Sequence, residues 1–307
     1  MANISTNQRL RRLASNISFI VALTLVGIKV VAWALTGSMA LLAAAVDGVL
    51  DVCTSAVTLI GVRFAERPED HNHRYGHGKG ETLSAFMQAL LLAGAGFALA
   101  VQALRRFLHP QALTALDAGL LMTGGSLIAV LCLVSMQSWV IRSTQSTAIR
   151  ADRQHYLADI IVNLGVLISL GSTWATGWRR IDPVIGIGLS IYMIWSGWTM
   201  IREGLHSLLD EELSEPERSK ILEVVRATQG VVNVHDLRTR NASDKKFIDF
   251  HLEIGGALSV RAGHDICERA ADAVRSLYDG KADVLVHAEP AGIVDERLDD
   301  RVGGVKS

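Results

Sequence analysis

The sequence predicts an α-helical membrane protein: six transmembrane helices followed by a ferredoxin-like α+β domain of order αββαβ. Three observations predict it. Half of the 307 residues belong to the set AVILMFWYC, and mean hydropathy is positive. Charge is segregated although the net charge is only −1: residues 81–104 carry Glu81 alone and residues 114–141 carry Asp117 alone, whereas the chain from Leu213 onward is dense in Asp, Glu, Lys and Arg. Six apolar stretches each reach the roughly 20 residues that cross about 30 Å of hydrocarbon.

The spans are expected near 14–36, 39–63, 82–107, 114–141, 155–177 and 183–209. The first is too long for a signal peptide and lacks a cleavage site of small residues, so it is expected to stay as a span. "TGS" (36–38) and "GWRRIDP" (177–183) read as tight connections. Loops on one side of the membrane hold ten Lys and Arg residues against four on the other, which puts that side and both termini in the cytoplasm. The domains follow as 1–209 in the membrane, 210–291 in the cytoplasm, and a loose tail over 292–307.

In the second domain, Ser214 and Glu217 form a capping-box pattern with Pro216 in the first turn. Strands are expected over 231–240 and 246–255; in the latter, Ile248, Phe250, Leu252 and Ile254 alternate with Asp249, His251 and Glu253. A helix near 260–279 and a strand over 283–289 complete the order. Cys53, Cys132 and Cys267 read as free thiols, since no CxxC occurs. No basic stripe marks a nucleic-acid surface.

The second and fifth spans carry ionisable side chains. Asp47 and Asp51 stand four apart in "AAAVDGVLDVC", and His155 and Asp159 repeat that spacing in "DRQHYLADII". An i, i+4 pair shares one helix face. Charges at membrane depth cost at least about 2.5–3.5 kcal/mol each, and Lys29, the only intramembrane lysine, can neutralise one aspartate only. Facing helices would converge three carboxylates and one imidazole, a set that suits tetrahedral Zn²⁺ and admits Fe²⁺, Co²⁺, Mn²⁺ or Cd²⁺ because no thiolate enforces softness.

The loop "EDHNHRYGHGKGE" (69–81) offers Asp70, His73 and His77 as a three-ligand site, with His71 beside them. The second domain offers His235, His251, His264, His287 and Glu289 as a cluster. No HExxH motif occurs, and all four intramembrane groups are used as ligands, which argues against an intramembrane metallohydrolase. A metal sensor would explain the cytoplasmic sites and leave the charged spans unexplained.

With these residues assembled, the chain resembles the cation diffusion facilitator family, in particular its bacterial ferrous-iron and zinc efflux members. The carrying segments are "GIKVVAWALTGSMALLAAAVDGVLD" (27–51), "YGHGKGE" (75–81), "HYLAD" (155–159) and "HDLRTR" (235–240). The resemblance implies a homodimer that exports divalent metal from the cytoplasm in exchange for protons, with a bacterial inner membrane as the expected location; among the candidate ions the affinity order puts Zn²⁺ ahead of Fe²⁺ and Mn²⁺. It implies a transport site of Asp47, Asp51, His155 and Asp159, a loop site of Asp70, His73 and His77, and a binuclear cytoplasmic site drawn from His235, His251, His264, His287 and Glu289. It also implies that Lys79 and Asp210 tie the protomers together by salt bridges. Relatives often carry Asp where Glu289 stands, and a polar residue where Ala288 stands.

Overall fold

The computed structural model describes residues 2–36, 39–109, 116–176, 180–243, 245–293 and 297–302. Within them the chain divides into two compact units, Met1–Leu205 and His206–Ser307. Residues 37–38 and 177–179 of the two expected tight connections lie outside the described residues.

The first unit is built of long helices: α1 (Ala2–Thr36), α2 (Met39–Ala65), α3 (Lys79–Leu108), α4 (Leu116–Thr144), α5 (Thr147–Thr176) and α6 (Ile181–Leu208). Five of them carry a described segment long and apolar enough to cross a membrane. The other, α5, is equally long, but Arg150, Asp152, Arg153, His155 and Asp159 crowd its first half. Its packing on α2, α3 and α4 shelters that half. The outward faces carry bare Ile20, Ile60, Phe97, Ile128, Ile191, Trp195 and Trp198, while Ser18, Ser55, Thr58, Gln88, Gln137 and Asp152 are buried. Apolar outside and polar inside is the arrangement hydrocarbon demands. Small residues allow close approach: a Cβ on Gly197 of α6 would stand 2.9 Å from the Ala93 backbone nitrogen of α3.

Two helices start well before the apolar pattern predicts, by more than a full turn. α1 runs back to Ala2 through the basic segment, and α5 begins at Thr147 instead of 155. The reason for α5 is a helix start completed from elsewhere in the chain. Ser146 Oγ accepts the Ile149 N–H (3.3 Å), and Glu81 Oε2 of α3 accepts both Ser146 O–H (2.8 Å) and Thr147 N–H (3.0 Å). Glu81 is fully buried, and Arg11 Nη1 offsets its charge at 3.2 Å.

The second unit contains α7 (Glu215–Arg226), β1 (Val231–Ala242), β2 (Lys245–Ile254), α8 (Val260–Ser276), β3 (Ala282–Pro290) and α9 (Leu298–Val302). The sheet order is β1-β2-β3, with β1–β2 antiparallel and β2–β3 parallel. Ile248, Phe250, Leu252 and Ile254 join Ile221 and Val225 of α7 and Ile266, Ala270 and Val274 of α8 in one core. The alternation therefore assigns the faces correctly, and the face bearing His251 lies opposite the helices. The capping box is only half formed: Ser214 Oγ donates to Glu217 Oε2 (3.1 Å), and its side chain accepts no backbone N–H. Residues 297–302 of the expected loose tail carry α9, which is held to the sheet by Arg297–Glu253 and Leu298–Asp236 contacts. The polar composition that suggested a tail suits a segment whose anchors are charge-assisted hydrogen bonds.

Candidate metal centres

The membrane site joins α2 and α5. His155 Nε2 stands 3.3 Å from Asp51 Oδ1 and 3.5 Å from Asp159 Oδ2. The three ligand atoms lie within 4.8 Å of one another. His155 is buried, the two carboxylates are about one-quarter exposed, and His155 Nδ1 is buried without a hydrogen-bond partner. Asp47 sits one turn before Asp51 on α2, and its side chain lies outside the described residues. Next to the donors, the Tyr156 and Ser55 hydroxyls share a 2.8 Å hydrogen bond that pins α5 to α2. One turn before His155, buried Asp152 accepts from Gln137 Nε2 (2.7 Å), which also donates to Ser18 Oγ (2.8 Å). That polar layer was not foreseen, although Asp152 precedes His155 by three residues on one face.

The loop site forms within the α2–α3 connection. Asp70 Oδ1 accepts backbone N–H groups from Asn72 (2.9 Å) and His73 (2.7 Å), an Asx turn, and faces His73 Nδ1 at 3.1 Å. The His73 backbone N–H above all holds the Asp70 carboxyl below the usual carboxylate range. His77 Nε2 approaches Asp70 Oδ2 at 3.3 Å, while His77 Nδ1 donates to the Arg67 carbonyl at 3.3 Å. That outer bond leaves the Nε2 lone pair facing the carboxylate. Gly76, at φ +83°, supplies the left-handed turn that brings His77 back. Among the described residues, His71 joins no donor group.

The cytoplasmic cluster is made by strand register. His235 pairs with His251 across β1–β2, and His251 pairs with His287 across β2–β3, so three imidazoles cross the sheet in a row. Their ring centroids are 5.2 and 4.7 Å apart. Glu289 closes the row: Oε1 lies 2.7 Å from His251 Nδ1 and 3.6 Å from His287 Nε2, and Oε2 lies 3.2 Å from His235 Nε2. His235 Nδ1 is buried without a hydrogen-bond partner, and the imidazole–carboxylate set fits a divalent transition ion.

Two further carboxylates flank His235, namely Asp236 Oδ1 and Glu253 Oε1, each at 3.7 Å. A β-bulge lies between His235 and Arg238, with Asp236 at φ +53°, and it buries residues 234–237 consecutively. That break in alternation hid Asp236 from sequence reasoning. Glu253 was readable as two residues after His251 on the same face. His264 does not join the cluster within the described chain: it is exposed on α8, which packs against the opposite face. Asp210 pairs with Arg240 at 3.4 Å in its own domain, and Lys79 opens α3.

Donor sets of carboxylate and imidazole, one of them inside a bundle of apolar helices, define a membrane protein that handles metal cations. Residues 15–209 match the cation efflux transmembrane domain, and residues 213–291 match the cytoplasmic domain of cation efflux proteins. The cation-efflux pump FieF of Klebsiella pneumoniae subsp. pneumoniae is 37% identical over 291 residues, 94% of this chain and 96% of that one. FieF of Escherichia coli K12 is 38% identical over 267 residues, 87% and 88% of the two chains. A solved cytoplasmic domain, the copper form of MamM, is 27% identical over 27% of this chain and 90% of its own, with a TM-score of 0.25.

The chain belongs to the cation efflux, or cation diffusion facilitator, family. It is an integral membrane transporter that moves divalent metal cations outward, and it is not an enzyme.

Proposed function

We propose that the protein is a homodimeric antiporter of a bacterial inner membrane that exports Zn²⁺ in preference to other divalent ions and takes up protons in return. The observation that carries this reading is the convergence of Asp51, His155 and Asp159 from two helices inside an apolar bundle. Asp47, four residues before Asp51 in the sequence, is the fourth donor this reading requires. A metal ion binds ionised carboxylate and neutral imidazole, so loading expels protons and proton uptake expels metal. Alternating exposure of such a site converts an inward proton gradient into outward metal flux. The oxygen and nitrogen donors admit Fe²⁺, Co²⁺, Mn²⁺ and Cd²⁺ as well, and the affinity order favours Zn²⁺ over Fe²⁺ and Mn²⁺.

The loop excess of Lys and Arg supports cytoplasmic termini, and with them a cytoplasmic location for Asp70, His73, His77 and the histidine row. These two sites hold or sense metal rather than move it. In the dimer, Lys79 and Asp210 tie protomers near the membrane surface, and a second protomer is the remaining route by which His264 reaches a cluster.

The test is metal flux in proteoliposomes under an imposed pH gradient, with Zn²⁺, Fe²⁺, Mn²⁺ and Cd²⁺ in competition. Asp51→Ala is expected to abolish flux while the purified protein keeps its elution volume and helicity. Wild-type flux in that variant sinks the proposed transport site, and flux indifferent to the pH gradient sinks the antiport.

A further inference from the structure

Residues 297–298 lie beyond the segment that matches the family's cytoplasmic domain, yet they contact both carboxylates that flank His235. Arg297 Nη2 donates to Glu253 Oε1 at 2.6 Å, the oxygen that stands 3.7 Å from His235 Nε2 and also accepts from Asn233 Nδ2 at 3.0 Å. The Leu298 N–H donates to Asp236 Oδ2 at 3.0 Å, and the other oxygen of that carboxylate faces His235 Nδ1 at 3.7 Å. His235 therefore sits between two acidic groups, both engaged from the tail. The side chains of Glu253 and Asp236 are buried, at 10% and 9% exposure, whereas that of Arg297 is 32% exposed. The cationic partner is thus the one free to leave.

We infer that Arg297 and Leu298 form a strap that a metal ion displaces: Arg297 competes with divalent metal for Glu253, and loading of the histidine cluster releases the tail. The inference rests on the reading of that cluster as a metal site. A dication beside His235 repels the guanidinium and draws the carboxylates toward itself, so the two cations cannot share Glu253 at full strength. Linkage then requires the reverse effect. Whatever metal does to the strap, the strap does to metal affinity by the same factor. Glu253 thereby becomes a carboxylate for which a guanidinium and a metal ion compete, while Asn233 donates to it as well.

The experiment is amide exchange of the full-length protein in detergent, with and without Zn²⁺, together with zinc competition against a chromophoric chelator. Zinc is expected to speed exchange at Leu298 in the wild type and to leave it unchanged in His251→Ala, where the cluster is disabled. Arg297→Ala, and Arg297→Gln, which keeps the polar chain, are expected to tighten zinc binding at the cluster about fivefold, the scale of one partly exposed ion pair. Slower or unchanged exchange at Leu298 on zinc binding overturns the strap, and so does unchanged or weaker affinity in both Arg297 variants. If His251→Ala removes no bound zinc, the reading of the cluster as a metal site fails, and the strap fails with it.

Discussion

The membrane site and the cytoplasmic cluster gather similar donors by different geometry. On α2 and α5 the donors repeat every four residues, so helix periodicity alone puts Asp51 near His155 and Asp159 once the helices pack. On the sheet, each strand contributes one histidine to a single row, pairing register brings His235, His251 and His287 together, and Glu289 reaches them from two residues further along β3. The helix site is set in an apolar bundle beside a buried polar layer, in which Asp152 is held by Gln137. The sheet cluster is flanked by two further carboxylates, Asp236 and Glu253, each held from the tail by Leu298 or Arg297. The first arrangement suits a rigid, fully committed donor set and the second an adjustable one.

Replacing one histidine in each site tests that contrast with the largest expected effect. His155→Ala is expected to reduce flux at saturating metal below detection. His251→Ala is expected to leave flux at saturating metal in place while zinc affinity at the cluster falls by more than about 10- to 100-fold, the loss that follows when only an outer partner of a ligand is removed. Flux assays and zinc competition on the same preparations read both arms. Loss of saturating flux in His251→Ala would break the proposed division between a moving site and a holding site.

How much of this was legible in the sequence follows from the same contrast. Asp51, His155 and Asp159 could be read from spacing, because a helix converts sequence distance into direction without help from the rest of the fold. Asp70, His73 and His77 were readable as a glycine-punctuated run, although the Arg67 carbonyl that orients His77 was not. In the sheet, His251 and Glu253 follow from alternation. Asp236 does not, because a bulge places it out of period. Residue type and the family resemblance both group His264 with the other histidines. The fold puts α8 on the opposite face, and only tertiary packing decides that. The early start of α5 was hidden for a related reason: its cap comes from Glu81, 65 residues before Ser146.

A smaller effect sharpens the claim that the helix site is rigid. Tyr156→Phe removes the hydroxyl that meets Ser55 at 2.8 Å and leaves a buried serine without its partner. Destabilisation of about 1–3 kcal/mol is expected, since an orphaned buried hydroxyl costs more than a hydrogen bond contributes on balance. The double variant Tyr156→Phe with Ser55→Ala removes both polar atoms and is expected to recover most of that loss. Thermal unfolding of the four proteins in detergent closes the double-mutant cycle. Additive losses would show that the bond does not pin α5 to α2.

The smallest effect lies in the cytoplasmic domain, where charge pairs are exposed and adjustable. The Lys246 ammonium, 2.8 Å from Glu217 Oε1, holds the Glu217 carboxyl below its ordinary range. A carboxyl lowered on folding contributes stability that is present above its unfolded pKa, near 4.3 for glutamate. That contribution disappears as pH falls through the folded value. Glu217→Gln is therefore expected to loosen α7 and β2 at neutral pH and to match the wild type in acid, where Glu217 is itself protonated. The Glu217 side chain is 40% exposed, so solvent screening limits the difference to below about 1 kcal/mol. Amide exchange at Ile221 and Phe250 across pH, corrected for intrinsic rates, reads it. A deficit that persists unchanged in acid would trace to the Ser214 contact, which also reaches this carboxylate, and would remove Lys246 as its source.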